Sequence, residues 1–102
     1  MRTMLKVSMP VEKSNQAIKD GSLPKTMNAF IDDLKPEASY FYADKGRRTA
    51  LFVFDLKEPA VIPSIAERFF MALNAEVDFY PVMNATDLKK GLELLESAKV
   101  HA

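Results

Sequence analysis

Arg48-Thr49-Ala50-Leu51-Phe52-Val53-Phe54-Asp55-Leu56 carries six apolar residues in nine and no helix breaker. Read as a strand, it sends Ala50, Phe52 and Phe54 to one side and Leu51 and Val53 to the other, because side chains alternate along an extended backbone. Both faces of this strand are therefore apolar and both need cover. A second layer is implied on each side of the sheet. Helices of the same chain are expected over one face, and a second copy of the chain over the other.

Working backward from this segment, Ser39 to Ala43 is a short aromatic strand, and Asp44-Lys45-Gly46-Arg47 is a turn that makes the two strands a hairpin. Earlier still, Met4 to Val11 alternates, with Leu5, Val7, Met9 and Val11 set toward the helices and Met4, Lys6, Ser8 and Pro10 away from them. Between these strands, Ala17, Ile18, Leu23, Met27, Phe30, Ile31 and Leu34 fall on one helical stripe, interrupted at Gly21 and Pro24. A short first helix capped by Ser14 and ending near Asp20 is predicted, followed by a longer one capped by Ser22. Pro36 closes it.

Working forward, Pro59 suits the first turn of a helix whose stripe is Ile62, Ile65, Ala66, Phe69, Phe70 and Leu73, with Asn74 as its stop. Glu76 to Met83 alternates again and is the last strand. Thr86 is expected to cap a final helix with Leu88, Leu92 and Leu95 on one face and Lys99 near its end.

The length of 102 residues fits a single domain covering 1–102. Fourteen basic and fourteen acidic side chains cancel, so no field gathers nucleic acid or anionic lipid. No stretch approaches the roughly 18 apolar residues of a membrane span. Cysteine is absent, which removes disulfides, thiolate nucleophiles and Cys-based metal sites together. The apolar run between Arg2 and Lys6 is too short for a signal-peptide core, so a cytoplasmic home is expected. No Gly-rich phosphate loop or metal-ligand spacing occurs, and neither metal nor cofactor is implied. The adjacent Asp32 and Asp33 point about 100 degrees apart on a helix and cannot act as a facing carboxylate pair.

The order strand, helix, strand, strand, helix, strand, with an added C-terminal helix, is that of an α+β, ferredoxin-like βαββαβ plait. Two right-handed crossovers arrange its four-stranded antiparallel sheet as 4-1-3-2, with both long helices on one face. The apolar central strand, Glu58-Pro59 with the helix after it, and Ala75-Glu76-Val77-Asp78-Phe79-Tyr80-Pro81-Val82 resemble the dimeric α/β barrels. In that superfamily two plaits press their open sheet faces together. The last segment is similar to strands of small uncharacterised bacterial members. The resemblance implies a homodimer joined through Leu51, Val53, Tyr80 and Val82, and a small organic or aromatic ligand held between sheet and helices. Superfamily members include antibiotic-biosynthesis-type monooxygenases, muconolactone isomerase and haem-degrading enzymes, and these commonly use a Trp, His or Asn in the cleft. This chain has no Trp, and its one His is His101, next to the end, which gives haem ligation no support.

Two readings of function follow. One is a homodimeric module that binds a small molecule. The other is a cofactor-independent enzyme, monooxygenase- or isomerase-like, acting on a small aromatic or quinone-like substrate. Lys6 and Ser8 of the first strand and Asp78 and Tyr80 of the last are expected to share the open face. Asp78 would serve as general acid or base, Tyr80 as donor and Lys6 as anion stabiliser, or the group would be a cross-strand ion pair beside a tyrosine. Tyr40 and Tyr42 are candidates to line an aromatic pocket, or else to fill core or interface. Lys45, Arg47 and Arg48 offer an anion site or a solvated turn. Met9, Met27, Met71 and Met83 are read as gap fillers, or as the lining of an adaptable apolar cleft.

Overall fold

A computed structural model describes residues 1–101, with side chains through Ala98; the readings of the Lys99 and His101 side chains lie outside it. The elements run β1 (Arg2–Met9), α1 (Val11–Lys19), α2 (Ser22–Leu34), β2 (Ala38–Asp44), β3 (Arg47–Asp55), a 3-10 turn (Pro59–Val61), α3 (Ile62–Leu73), β4 (Glu76–Pro81) and α4 (Ala85–His101). The four strands form one antiparallel sheet in the order β2-β3-β1-β4, which counted from the β4 edge reads 4-1-3-2. This α+β arrangement is compatible with a ferredoxin-like plait. The sheet is open, and the described strands do not close into a barrel.

The facing of β3 follows from where its aromatic rings are sheltered. Ala50, Phe52 and Phe54 are buried, whereas Leu51 and Val53 are half-buried. Register carries this across the sheet: Leu5 lies opposite Phe52 and Val7 opposite Ala50, and both are fully buried. Phe30 of α2 is the centre of the core, its ring centroid 4.6 Å from Phe52, 5.7 Å from Phe54 and 5.5 Å from Phe69 of α3. The edge-on and tilted geometries suit rings whose faces are negative and edges positive. The space between sheet and helices at this level is filled by packed side chains.

Several local expectations are corrected. Val11 does not continue β1; Pro10, with extended backbone and no N–H, sits at the N-cap position of α1, so Val11 opens the helix and is exposed. Ser14 is not the cap but lies inside α1, buried, its hydroxyl donating to the Val11 carbonyl. Gly21, at φ 82°, takes the cap position of α2 that Ser22 was expected to hold, a backbone state that costs glycine little. The hairpin turn places both Lys45 (φ 53°) and Gly46 (φ 77°) in the left-handed region, the geometry that matches a two-residue turn to strand twist. Phe70, Met71 and Met83 are exposed rather than core.

α4 departs furthest. Its cap is not Thr86 but a reciprocal pair: the Asp87 N–H donates to Asn84 Oδ1 at 2.8 Å, and the Asn84 N–H to Asp87 Oδ2 at 3.1 Å. Leu88, Leu92 and Leu95 do share a face, but they are 49%, 53% and 50% exposed because no described element covers them. The radius of gyration is 17.0 Å, against about 13 Å for a compact chain of 100 residues. An arm standing away from the body accounts for the 60 Å long dimension beside 28 and 19 Å.

Candidate functional site

The sheet face away from the helices gathers the sequence-derived residues by strand parity. Lys6 lies opposite Leu51 on β3 and Asp78 on β4; Met4 lies opposite Val53 and Tyr80; Ser8 lies opposite Thr49 and Glu76; Tyr40 and Tyr42 lie opposite Leu51 and Thr49. Lys6, Ser8, Tyr40, Tyr42, Asp78 and Tyr80 therefore share one face. Their bonding differs from the expected Lys6–Asp78 ion pair. The Lys6 ammonium instead reaches Asp44 Oδ2, at 2.6 Å, across β3 at the level of Thr49, which is buried. That hydrogen bond raises the lysine pKa and lowers that of Asp44, so both ends hold their charge. Asp78 is exposed beside them. Together with Asp44, Lys45, Arg47 and Glu76, residues Lys6, Ser8 and Asp78 border a polar hollow of about 300 Å³.

Next to this hollow the open face turns apolar. Tyr80, Met4 and Val53 form one cross-strand row and Tyr40 and Leu51 another, and no described element covers them. Val82, placed with the interface in the sequence reading, lies just past β4, where its N–H donates to the Arg2 carbonyl at 3.2 Å. It borders a second hollow with Met1, Arg2, Glu37, Asp55 and Asp87. Charge is internally matched there. Arg2 bridges Glu37 and Asp87, while Asp55 accepts from the terminal ammonium at 2.7 Å and from Lys57 at 2.6 Å.

A different chemistry lies on the helix side of the β2 edge. Met9, Ile18, Leu23, Met27, Phe41, Tyr42, Arg48 and Thr49 line a groove of about 400 Å³ between the hairpin and helices α1 and α2. Phe41 packs edge-on against Phe52 at 5.8 Å, tying its floor to the core. Arg48 is the cation at this groove. Its Nη1 donates to Ser14 Oγ at 2.7 Å, Asn15 Oδ1 at 2.8 Å and the Val11 carbonyl at 3.4 Å. These acceptors are neutral, and among the described residues Arg48 has no carboxylate partner. The guanidinium is thus fixed in direction with its charge unneutralised.

Reading the sequence did not single out Arg48 apart from its neighbours on the turn. The signal was present: parity from Phe52 through Ala50 puts Arg48 on the helix face, whereas Arg47 goes to the open face with Leu51. Tyr42 and Thr49, which register assigns to the open face, border this groove at the β2 edge, while Tyr40 does not. Of the methionines, Met9 and Met27 line it. Among the described residues no three His, Cys, Asp or Glu side chains are grouped to hold a metal. No helix there is long and apolar enough to cross a membrane.

The sequence matches no protein-family model and no curated protein. The structure supports a small α+β fold with a four-stranded antiparallel sheet, compatible with a ferredoxin-like plait.

Proposed function

We propose that the chain is a homodimeric module that binds a small, apolar or aromatic carboxylate in the groove between the β2 edge and helices α1 and α2. The observation that carries this reading is Arg48, a positioned cation with no carboxylate partner among the described residues, at the margin of a groove lined mostly by Met, Leu, Ile and aromatic residues. Small-molecule sites have this composition: apolar walls supply burial, and a few placed polar groups set orientation. A guanidinium offers five donors in a planar fork that matches a carboxylate. Methionine adapts to the ring or chain that fills the rest.

Binding rather than acid–base chemistry suits this groove, because arginine keeps its proton at any ordinary pH. The enzyme reading belongs to the opposite face. There, Lys6, Asp44, Asp78 and Tyr80 would be enclosed only when a second sheet packs against Leu51, Val53 and Tyr80 to complete a dimeric barrel. That pairing is part of the same proposal, and its support is the uncovered apolar row on the open face.

A thermal-shift series comparing benzoate and longer aromatic or aliphatic acids with their neutral amides tests the groove. The acids are expected to raise the melting temperature more than the amides. Arg48→Met should weaken acid binding about tenfold or more, since a charge-assisted hydrogen bond contributes about 1.5–3 kcal/mol. Lys45→Met, on the exposed turn, should leave it unchanged. Equal responses to acid and amide, or full acid binding by Arg48→Met, would reject the site.

A further inference from the structure

α4 has the pattern of a self-pairing helix. Ala85, Leu88, Leu92 and Leu95 recur at alternating intervals of three and four, the spacing of the a and d positions of a heptad. Flanking this seam on one side are Lys89 and Glu96, and on the other Gly91 and Ala98. The leucines are about half exposed, and the shallow concavity along them, bordered by Ala85, Leu88, Lys89, Leu92, Glu93 and Glu96, is lined by α4 alone. The arm stands clear of its own body, as the 60 Å long dimension shows.

We propose that α4 pairs antiparallel with α4 of a second copy of this chain. Charge placement selects both direction and register. Stacking Leu92 on the second copy's Leu95, and Leu95 on its Leu92, brings Lys89 beside the second copy's Glu96 at both ends of the seam. Sliding the helices to stack Leu88 on Leu92 instead would set Lys89 against another Lys89. A parallel pair would place Lys89 beside Asn84 and Glu96 beside Gly91 of the second copy and gain no ion pair. In the chosen register Gly91 lies opposite Ala98 on the other flank, where small side chains let the backbones approach. A Cβ at Gly91 would meet nothing in the single chain, so packing within the chain does not require this glycine.

This inference rests on the reading that the chain is a homodimer, and it adds a second interface to the one on the open sheet face. In this register two half-exposed leucines per copy, Leu92 and Leu95, meet across the seam, which offers much less than the roughly 800 Å² per partner of a stable interface, so α4 acts together with the sheet face. The isologous arrangement is natural for both surfaces, since a two-fold axis makes each patch meet its own copy.

Because the chain contains no cysteine, single spin labels can be placed at will. Thr86→Cys and Leu94→Cys both lie off the seam, the latter 71% exposed. Antiparallel pairing centred between Leu92 and Leu95 puts labels at position 94 almost directly across the axis. Labels at position 86 acquire an extra axial offset of about 22 Å, at 1.5 Å per residue. A defined distance at 94 and a clearly longer one at 86 is the expected result. Equal distances, or none in a sample that sedimentation shows to be dimeric, would overturn the α4 pairing and leave the sheet-face dimer standing. A monomer at all accessible concentrations would overturn both. In sedimentation equilibrium, Lys89→Glu should weaken the dimer several-fold, and adding Glu96→Lys should restore it; no recovery would also reject the register.

Discussion

At the scale of single residues, charge is arranged in short local pairs rather than in one focused site. Asp55 is the strongest example. Hydrogen bonds from Lys57 and the terminal ammonium pull its pKa from 3.8 down to about 2. A carboxylate whose folded pKa is depressed stabilises the fold above its unfolded pKa, and that stability is lost as pH falls through the folded value. The melting temperature should therefore decline between about pH 4 and pH 2, with Asp44 and Asp20, also lowered, contributing in the same direction. Asp55→Asn should flatten part of that slope while changing little between pH 5 and 7 beyond a constant offset. An unchanged acid slope in the variant would show that the pairing of Asp55 is not coupled to folding. Residue-level reading of the sequence went wrong in the same polar regions. Lys6 and Asp78 are neighbours in register, as parity requires, yet Lys6 bonds Asp44, because a four-carbon side chain can cross the neighbouring strand and parity alone does not say which carboxylate it reaches.

At the scale of elements, legibility followed burial. β3, the core face of α3 and the left-handed stop at Asn74 (φ 50°) were readable because apolar period and backbone chemistry agree there. The starts of α1, α2 and α4 were misplaced, because Ser14, Ser22 and Thr86 are plausible caps one to four residues inside the true boundaries. Side chains of this kind can bond to local backbone from several helix positions, and the nearby Pro10, Gly21 and Asn84 decide the outcome. The groove was only half legible: its Met, Phe and Tyr lining was in view, but Arg48 became distinct only through its bonds to Ser14 and Asn15 on a separate helix. α4 permits a test confined to one element when the chain is dilute enough to be monomeric, so that the proposed α4 seam is not formed. Gly91→Ala replaces a mid-helix glycine and should stabilise the helix by about 0.5–1 kcal/mol. Hydrogen exchange in α4 should slow several-fold, while the main unfolding transition shifts little, because α4 barely touches the body. A large rise in melting temperature instead would mean that α4 and the sheet unfold as one unit.

At the scale of the whole molecule, the chain presents one covered and one uncovered sheet face, and the difference sets the strongest expectation. Helices α1, α2 and α3 enclose Phe52 and Phe54, whereas Leu51 and Val53, on the same strand, are left to the open side with Met4, Tyr40 and Tyr80. A two-fold pairing of these faces would remove the apolar row from water and bring the Lys6–Asp44 pair of each copy close to the interface. The apolar centre is flanked by charged hollows at both ends of the sheet, the pattern of a hydrophobic interface core with a polar rim. Val53→Asp is the decisive change. In a monomer the carboxylate would sit on a half-open face and cost little. In the dimer it would be buried without a partner, a loss of about 3–5 kcal/mol by analogy with breaking a buried pair, or more than a hundredfold in dissociation constant. Light scattering at micromolar concentration should accordingly report a dimer for the native chain and a folded monomer for Val53→Asp, with Val53→Ile remaining dimeric. Circular dichroism on the same samples separates dissociation from unfolding. If the native chain scatters as a monomer, or if Val53→Asp stays dimeric, the open face is not where two copies meet.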